Sequence, residues 1–297
     1  MTCDRTFCFS PPSGFLSSAV SAATVTLAAL ASPAAALEVR VVPDNPRLGD
    51  TLSVLVETET DNATVPTVTA NGRRYETFPV GTNRYRAFLP TTPLERPGVR
   101  QLQVSGDGTV ETVSVNVGDR DFPIQEIWLS AETNAIEGTD YEFDLVDAFK
   151  QLVTPQRFWT GPFLTPSDGP VTTVYGVRRY YNGEWAGNYY HRGIDYAAAT
   201  GAPVRAAAAG RVALVGRVEE GFELHGNTVG IDHGQGVTTI YIHLSRIDVR
   251  EGQMVEAGQT IGGVGSTGIS TGPHLHWGLY VRGESVDPYP WQHLGLK

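Results

Sequence analysis

The sequence predicts an all-β protein in which two antiparallel β regions are joined by a segment with one short helix. Three observations predict it. From Leu37 to Gly118, apolar and polar residues alternate in period two between regularly spaced turn residues. A single stretch, "TDYEFDLVDAFKQLVTPQ", carries helical periodicity. From about Thr165 to the end the chain is glycine-rich, with short strand-like runs and no helix-length pattern.

Composition bounds the reading first. At 297 residues, with 41% hydrophobic and 18% charged positions, two modest cores are expected. A formal charge of -10, with lysine only at Lys150 and Lys297, lacks the basic face that nucleic-acid binding needs, so no nucleic-acid partner is expected.

Residues 1–36 read as a secretory signal peptide, with Arg5, an apolar stretch from Phe15 to Leu30 and an A-x-A end at Ala34 to Ala36. The stretch is rich in Ser, Thr and Ala and falls short of the roughly 20 strongly apolar residues that a spanning helix needs. Cleavage after Ala36 is expected to leave an exported protein of the periplasm or cell envelope, or an extracellular one, with no transmembrane span. Cys3 and Cys8 both lie in the leader. The mature chain then has neither disulfides nor thiolate ligands, and any metal must be held by His and carboxylates.

Residues 37–118 read as an immunoglobulin-like β-sandwich, from "LEVRVV", "LSVLVET", "RYRAFL", "VRQLQVS" and "VETVSVNV". Asn71-Gly72, between "TVTA" and "RRYETF", predicts a hairpin, because both central residues of a type I′ turn need positive φ. In the connecting region, 119–164, Thr139 is expected to cap a helix, Phe143, Val146 and Phe149 to share its buried face, and Pro155 to stop it. The region 165–297 is expected to form the second β domain, and all seven histidines lie in it.

Four of those histidines and one aspartate form a chemical pattern. In "HRGID", His191 and Asp195 are four apart, a spacing that aligns them on one side of a strand or of a helix, and Gly193 with the β-type context that follows favours a strand. In "HLH", His274 and His276 point into the same space while Leu275 faces the core. His243 ends "VTTIYIHL", with Tyr241 expected on its side and Ile242 and Leu244 opposite. Any one of these, taken singly, reads most simply as a surface histidine. Together, two histidines and one aspartate match a catalytic zinc site, which keeps its fourth position for water. The remaining histidines would then exchange protons with that water or hydrogen-bond a developing oxyanion.

The ordered series H-x-x-x-D, an isolated His after a tyrosine-bearing strand, and H-x-H inside "STGPHLHWG" resembles the lysostaphin-type zinc endopeptidases, which cut cell-wall peptides. The resemblance runs from about Thr165 to Pro288 and includes "GAPVRAAAAGRV", "GNTVGIDHG" and "VREGQMVEAGQTIGGVGSTG". It implies an antiparallel β peptidase domain with a metal-binding groove and one zinc ion per chain. His191, Asp195 and His276 resemble the metal ligands, and His243 and His274 the two catalytic histidines. Some family members carry a tyrosine upstream of the first ligand, where this chain has Trp185; Tyr189 and Tyr190 are the nearby candidates to replace it, and the sequence assigns neither. His225, His233 and His293 fit turn or surface positions, and Arg178 is a candidate contact for a substrate carboxylate or an exposed salt bridge.

The expected function is hydrolysis of peptide bonds in peptidoglycan stem peptides or cross-bridges. Three rival readings fit the residues less well. A non-heme iron oxygenase leaves the two further histidines unexplained. A non-catalytic wall-binding or hydrolase-activating protein on the same fold would have lost ligands, whereas all five residues are present. A biotinyl or lipoyl carrier needs a lysine at the tip of "VREGQMVEAGQTIG", and none is there. The sandwich is expected to serve as a spacer, as a wall-binding module, or as a lid that makes a regulatory contact with the peptidase.

Overall fold

The computed structural model describes residues 37–59 and 64–294; the expected leader lies outside the described residues. The period-two segments form two four-stranded antiparallel sheets. One orders Glu38–Val42, Thr51–Glu57, Arg84–Pro90 and Phe78–Gly81; the other orders Arg73–Glu76, Thr67–Ala70, Gly98–Gly106 and Thr109–Val117. They close on one apolar core that includes Leu52, Val54, Val68, Leu102, Val104 and Val117. At the expected hairpin Asn71 and Gly72 have φ of 50° and 77°, as a type I′ turn requires.

The connecting region departs from expectation in two ways. Ile124–Ile127 is a strand that pairs in parallel with Arg178–Tyr181, an exception to the antiparallel rule. A second short helix, Ala131–Asn134, precedes the expected one, and a third, Tyr289–His293, lies near the end of the chain. The expected helix spans Asp140–Lys150, and the Thr139 side chain accepts the Glu142 N–H as its cap. Its buried face is Glu142, Val146 and Phe149, whereas Phe143 is 41% exposed. Positions i, i+4 and i+7 follow the helical stripe, so the polar Glu142 takes the place expected for Phe143. Pro155 lies beyond the helix end at Lys150 and leaves its last turn untouched.

The C-terminal region is built on an eight-stranded antiparallel sheet. Its strands run in the order Val171–Thr173, Gly193–Ala197, His274–Val281, Val237–Leu244, Asn227–Gly234, Gly210–Gly216 and Met254–Val255, with Glu284–Val286 also pairing His274–Val281. One face buries Tyr241, Leu244, Leu275, Trp277, Leu279 and Val281 in the main core. Over part of the other, the Asp140–Lys150 helix packs Val146 and Phe149 on Leu214, Ile240, Ile242 and Tyr280. The rest of that face is left for the site.

The two β regions share structure, and contacts join the described residues into one unit. Phe88 of the first β region packs on Trp291 and Trp159, with ring centroids 5.1 and 6.2 Å apart. Trp291 Nε1 donates to Thr51 Oγ1 at 3.1 Å, and Arg120 pairs with Asp287 at 2.8 Å. Among the described residues, no helix is long and apolar enough to cross a membrane.

Candidate metal centre

Strand pairing assembles the centre. Gly193–Ala197 and His274–His276 are neighbours in register, with Asp195 opposite His276. Alternation sends Ile194, Tyr196, Leu275 and Trp277 into the core and leaves Asp195, His274 and His276 on the other face. His191 stands just before the strand rather than on it. Its N–H bonds to Val177 and its C=O accepts from Gly176, which turns the ring back over Asp195.

Among the described residues, His191, Asp195 and His276 form a group whose ligand atoms all lie within 4.8 Å of one another. His191 Nε2 lies 2.9 Å from both Asp195 Oδ1 and His276 Nδ1, and His276 Nδ1 lies 2.8 Å from Asp195 Oδ1. The His191 Nδ1–H donates to the Val174 carbonyl at 2.8 Å, so Nε2 presents a lone pair. Two lone pairs at 2.9 Å repel unless a cation or a proton lies between them, so this donor set fits a divalent ion. A ligand histidine whose other nitrogen is tied to a carbonyl is the usual arrangement around zinc. Gly193 is required by this closeness, since a Cβ there would meet the Trp277 carbonyl oxygen at 2.3 Å and His276 Nε2 at 2.9 Å.

His243 and His274 stand beside the trio, with ring centroids 4.9 Å apart. His243 Nδ1 donates to the Thr267 carbonyl and His274 Nδ1 to the Gly272 carbonyl, both at 2.8 Å. A neutral ring at either position therefore presents Nε2 as its acceptor, and His274 Nε2 lies 3.9 Å from Asp195 Oδ1. The expected alternation fails at His243. Tyr241 and Leu244 point into the main core, while Ile242 and His243 both line the cleft. A left-handed backbone at His243, φ 64°, turns its side chain to the face that simple alternation denies it.

Burial favours neutral imidazoles here. It pushes His243 down to about 3, helped by the neighbouring charges of His274 and His276. It pushes His276 down to about 4, although Asp195 acts in the opposite direction. Burial also opposes ionisation of Asp195, but hydrogen bonds and charge from His191 and His276 prevail and hold the carboxyl far below the usual range.

The centre lies in a cleft of about 930 Å³. Gln125 to Leu129 of the connecting region form part of its wall. Arg179, not Arg178, faces it: Arg179 Nη2 lies 3.6 Å from Asp195 Oδ2, while Arg178 holds the Tyr189 and Gly187 carbonyls. Period-two alternation in Arg178–Tyr181 was the signal that could have found Arg179. Of the tyrosines, Tyr189 lines the cleft and Tyr190 is buried, its hydroxyl 3.4 Å from the Ser285 carbonyl. Trp185 is exposed and packs against Tyr180 with the rings tilted 50° and their centroids 4.8 Å apart.

The remaining histidines separate. His233 is fully buried on a strand, bonded to Ala209 O and Thr239 Oγ1, which corrects its expected surface position. Phe163 packs on its ring with centroids 5.0 Å apart and both ring nitrogens are bonded within the protein, so no solvent face remains. His225 is partly buried against Glu142 and lines the cleft, and His293 ends an exposed helical turn.

Fold and site define an antiparallel β protein with a candidate metal centre in an open groove. Comparison with known proteins makes the assignment specific. Residues 189–288 match the model of peptidase family M23, and this segment is an M23 peptidase domain. The chain is 51% identical over 98 residues to the DD-carboxypeptidase/endopeptidase Mpg of Neisseria meningitidis. It is 44% identical over 97 residues to the peptidoglycan DD-endopeptidase ShyA of Vibrio cholerae. Each match takes in 33% of this chain and only 22% of the relative. A solved structure from Pseudomonas aeruginosa, described as a candidate M23 peptidase, aligns at 26% identity with a TM-score of 0.62, over 83% of this chain and 94% of its own.

Proposed function

We propose that this chain is an exported zinc metalloendopeptidase that hydrolyses peptide bonds in peptidoglycan stem peptides or cross-bridges. The observation that carries the reading is the convergence of His191 Nε2, Asp195 Oδ1 and His276 Nδ1 within 2.9 Å of one another, with the imidazoles of His243 and His274 alongside. These three residues would hold the ion. When bound, zinc lowers the pKa of a water to about 7 and polarises a scissile carbonyl. The chain's own residues supply the rest. Nε2 of His243 or His274 takes the proton from the water and passes it to the leaving amine, and the other hydrogen-bonds the developing oxyanion. Arg179 keeps the outer oxygen of Asp195 oriented. Peptidoglycan as substrate is supported by the names of the Neisseria and Vibrio relatives.

The test is metal stoichiometry together with digestion of purified walls of differing cross-link chemistry, the products being weighed by mass spectrometry. One zinc per chain and new peptide termini support the reading. Wall binding without cleavage would instead favour a non-catalytic wall-binding or hydrolase-activating protein.

A further inference from the structure

The M23 match begins at residue 189, yet a helix well upstream of it grips the loop behind the two assisting histidines. Glu142, on Asp140–Lys150, is 0% exposed, a place a lone carboxylate rarely takes without partners. Both its oxygens accept the Leu224 N–H, at 3.1 and 3.2 Å, and Oε1 lies 3.3 Å from His225 Nδ1. Thr139, the cap of the same helix, donates its hydroxyl to the Gly221 carbonyl at 2.7 Å.

The gripped loop leads directly to the site. The His225 carbonyl accepts the His243 N–H at 3.1 Å, at the one residue whose left-handed backbone aims an imidazole into the cleft. The Leu224 carbonyl accepts the Ile269 N–H at 2.9 Å, and the segment that follows holds His274 through Gly272 O and Ser270 Oγ. Gly226 and Gly268 abut so closely that a Cβ on Gly268 would meet Gly226 N at 2.5 Å, so the two loops cannot shift independently.

We infer that Glu142 is a positioning residue: through Leu224 and His225 it sets the backbone that aims His243 and His274. This rests on the proposed peptidase reading for its effect on turnover, though not for its effect on the loops. The helix thereby makes the connecting region part of the working site.

The test uses the full chain. In Glu142→Ala, kcat on a cross-linked peptide should fall roughly 10- to 100-fold, the scale of a misplaced catalytic group, with KM within about twofold and metal content unchanged. Peptides covering 222–226 and 240–244 should exchange amide hydrogens faster than in the parent protein. Glu142→Gln keeps an acceptor for the Leu224 N–H and should return kcat to within about threefold. Val146→Ala, on the same buried helix face but packed on Ile240 and Ile242 rather than on the gripped loop, should lower Tm without changing kcat or the exchange of 222–226.

Parent-like exchange in Glu142→Ala, or equal loss of kcat in Val146→Ala, would overturn the inference. Should Glu142→Ala not fold, Glu142→Asp retains the charge but withdraws it from Leu224. Parent-like kcat and exchange in that variant would be equally fatal. A parent protein that cleaves no peptide would sink the peptidase reading, while the exchange results would still decide the role of Glu142.

Discussion

Asp195 and His276 face each other across neighbouring antiparallel strands, and their ligand atoms lie 2.8 Å apart. Neither residue is near the other in sequence, so the register of one strand pair determines whether the centre exists. His276→Ala should abolish zinc binding and activity together. His274→Ala leaves the three donors in place, so zinc should remain while turnover drops roughly 10²- to 10⁴-fold. Zinc stoichiometry beside kcat on one peptide separates the two. Zinc loss in His274→Ala with retention in His276→Ala would reverse the assignment.

His243 gives a backbone prediction as well as a chemical one. Both His243→Ala and His243→Gly should retain zinc and lose turnover on the scale expected for His274→Ala. At φ 64° only glycine is free of the Cβ penalty, so the Gly variant should be the more stable by about 1 kcal/mol. Denaturant midpoints of the two variants decide it; a more stable Ala variant would mean the left-handed conformation is absent.

Burial pushes His233 down to about 4, with a hydrogen bond to Ala209 and the charge of Asp232 only partly opposing it. Its folded pKa is depressed, so the unfolded chain binds the proton first as the pH falls below about 6.5. Stability is therefore intact above that value and is lost between about 6.5 and 4, by about 3 kcal/mol in all. The stability gap between the parent protein and His233→Gln should shrink by that amount from pH 7.5 to 4. A gap that does not change with pH would show that His233 is accessible to water in the fold.

Phe88 reaches from the first β region into the core of the second. Phe88→Ala should cost about 3 to 5 kcal/mol and move a single unfolding transition. Two calorimetric transitions, with only the later one shifted, would mean that the regions unfold independently.

The export reading predicts a mature N-terminus at Leu37 on protein recovered outside the cytoplasmic membrane. Terminal sequencing that finds Met1 on envelope material would show a retained leader.

What the sequence determined by itself was what local periodicity encodes. Strict alternation placed His274 and His276 on one face with Leu275 in the core, the Asn71-Gly72 dipeptide placed a hairpin, and Thr139 placed a helix cap. These depend on a residue and its immediate neighbours, and the backbone offers few alternatives there. The tertiary structure alone decided what depends on non-local closure. It turned His243 into the cleft against its strand's alternation, because the loops at His225 and Thr267 hold a left-handed residue there. It put Glu142 in the place expected for Phe143, because the Leu224 N–H bonds both carboxylate oxygens and offsets part of the cost of burying them. It also drew Ile124–Ile127 beside Arg178–Tyr181, which put Arg179 rather than Arg178 next to Asp195. A sequence read residue by residue shows which face a side chain prefers; what meets that face is decided only when distant strands pair and their register is set.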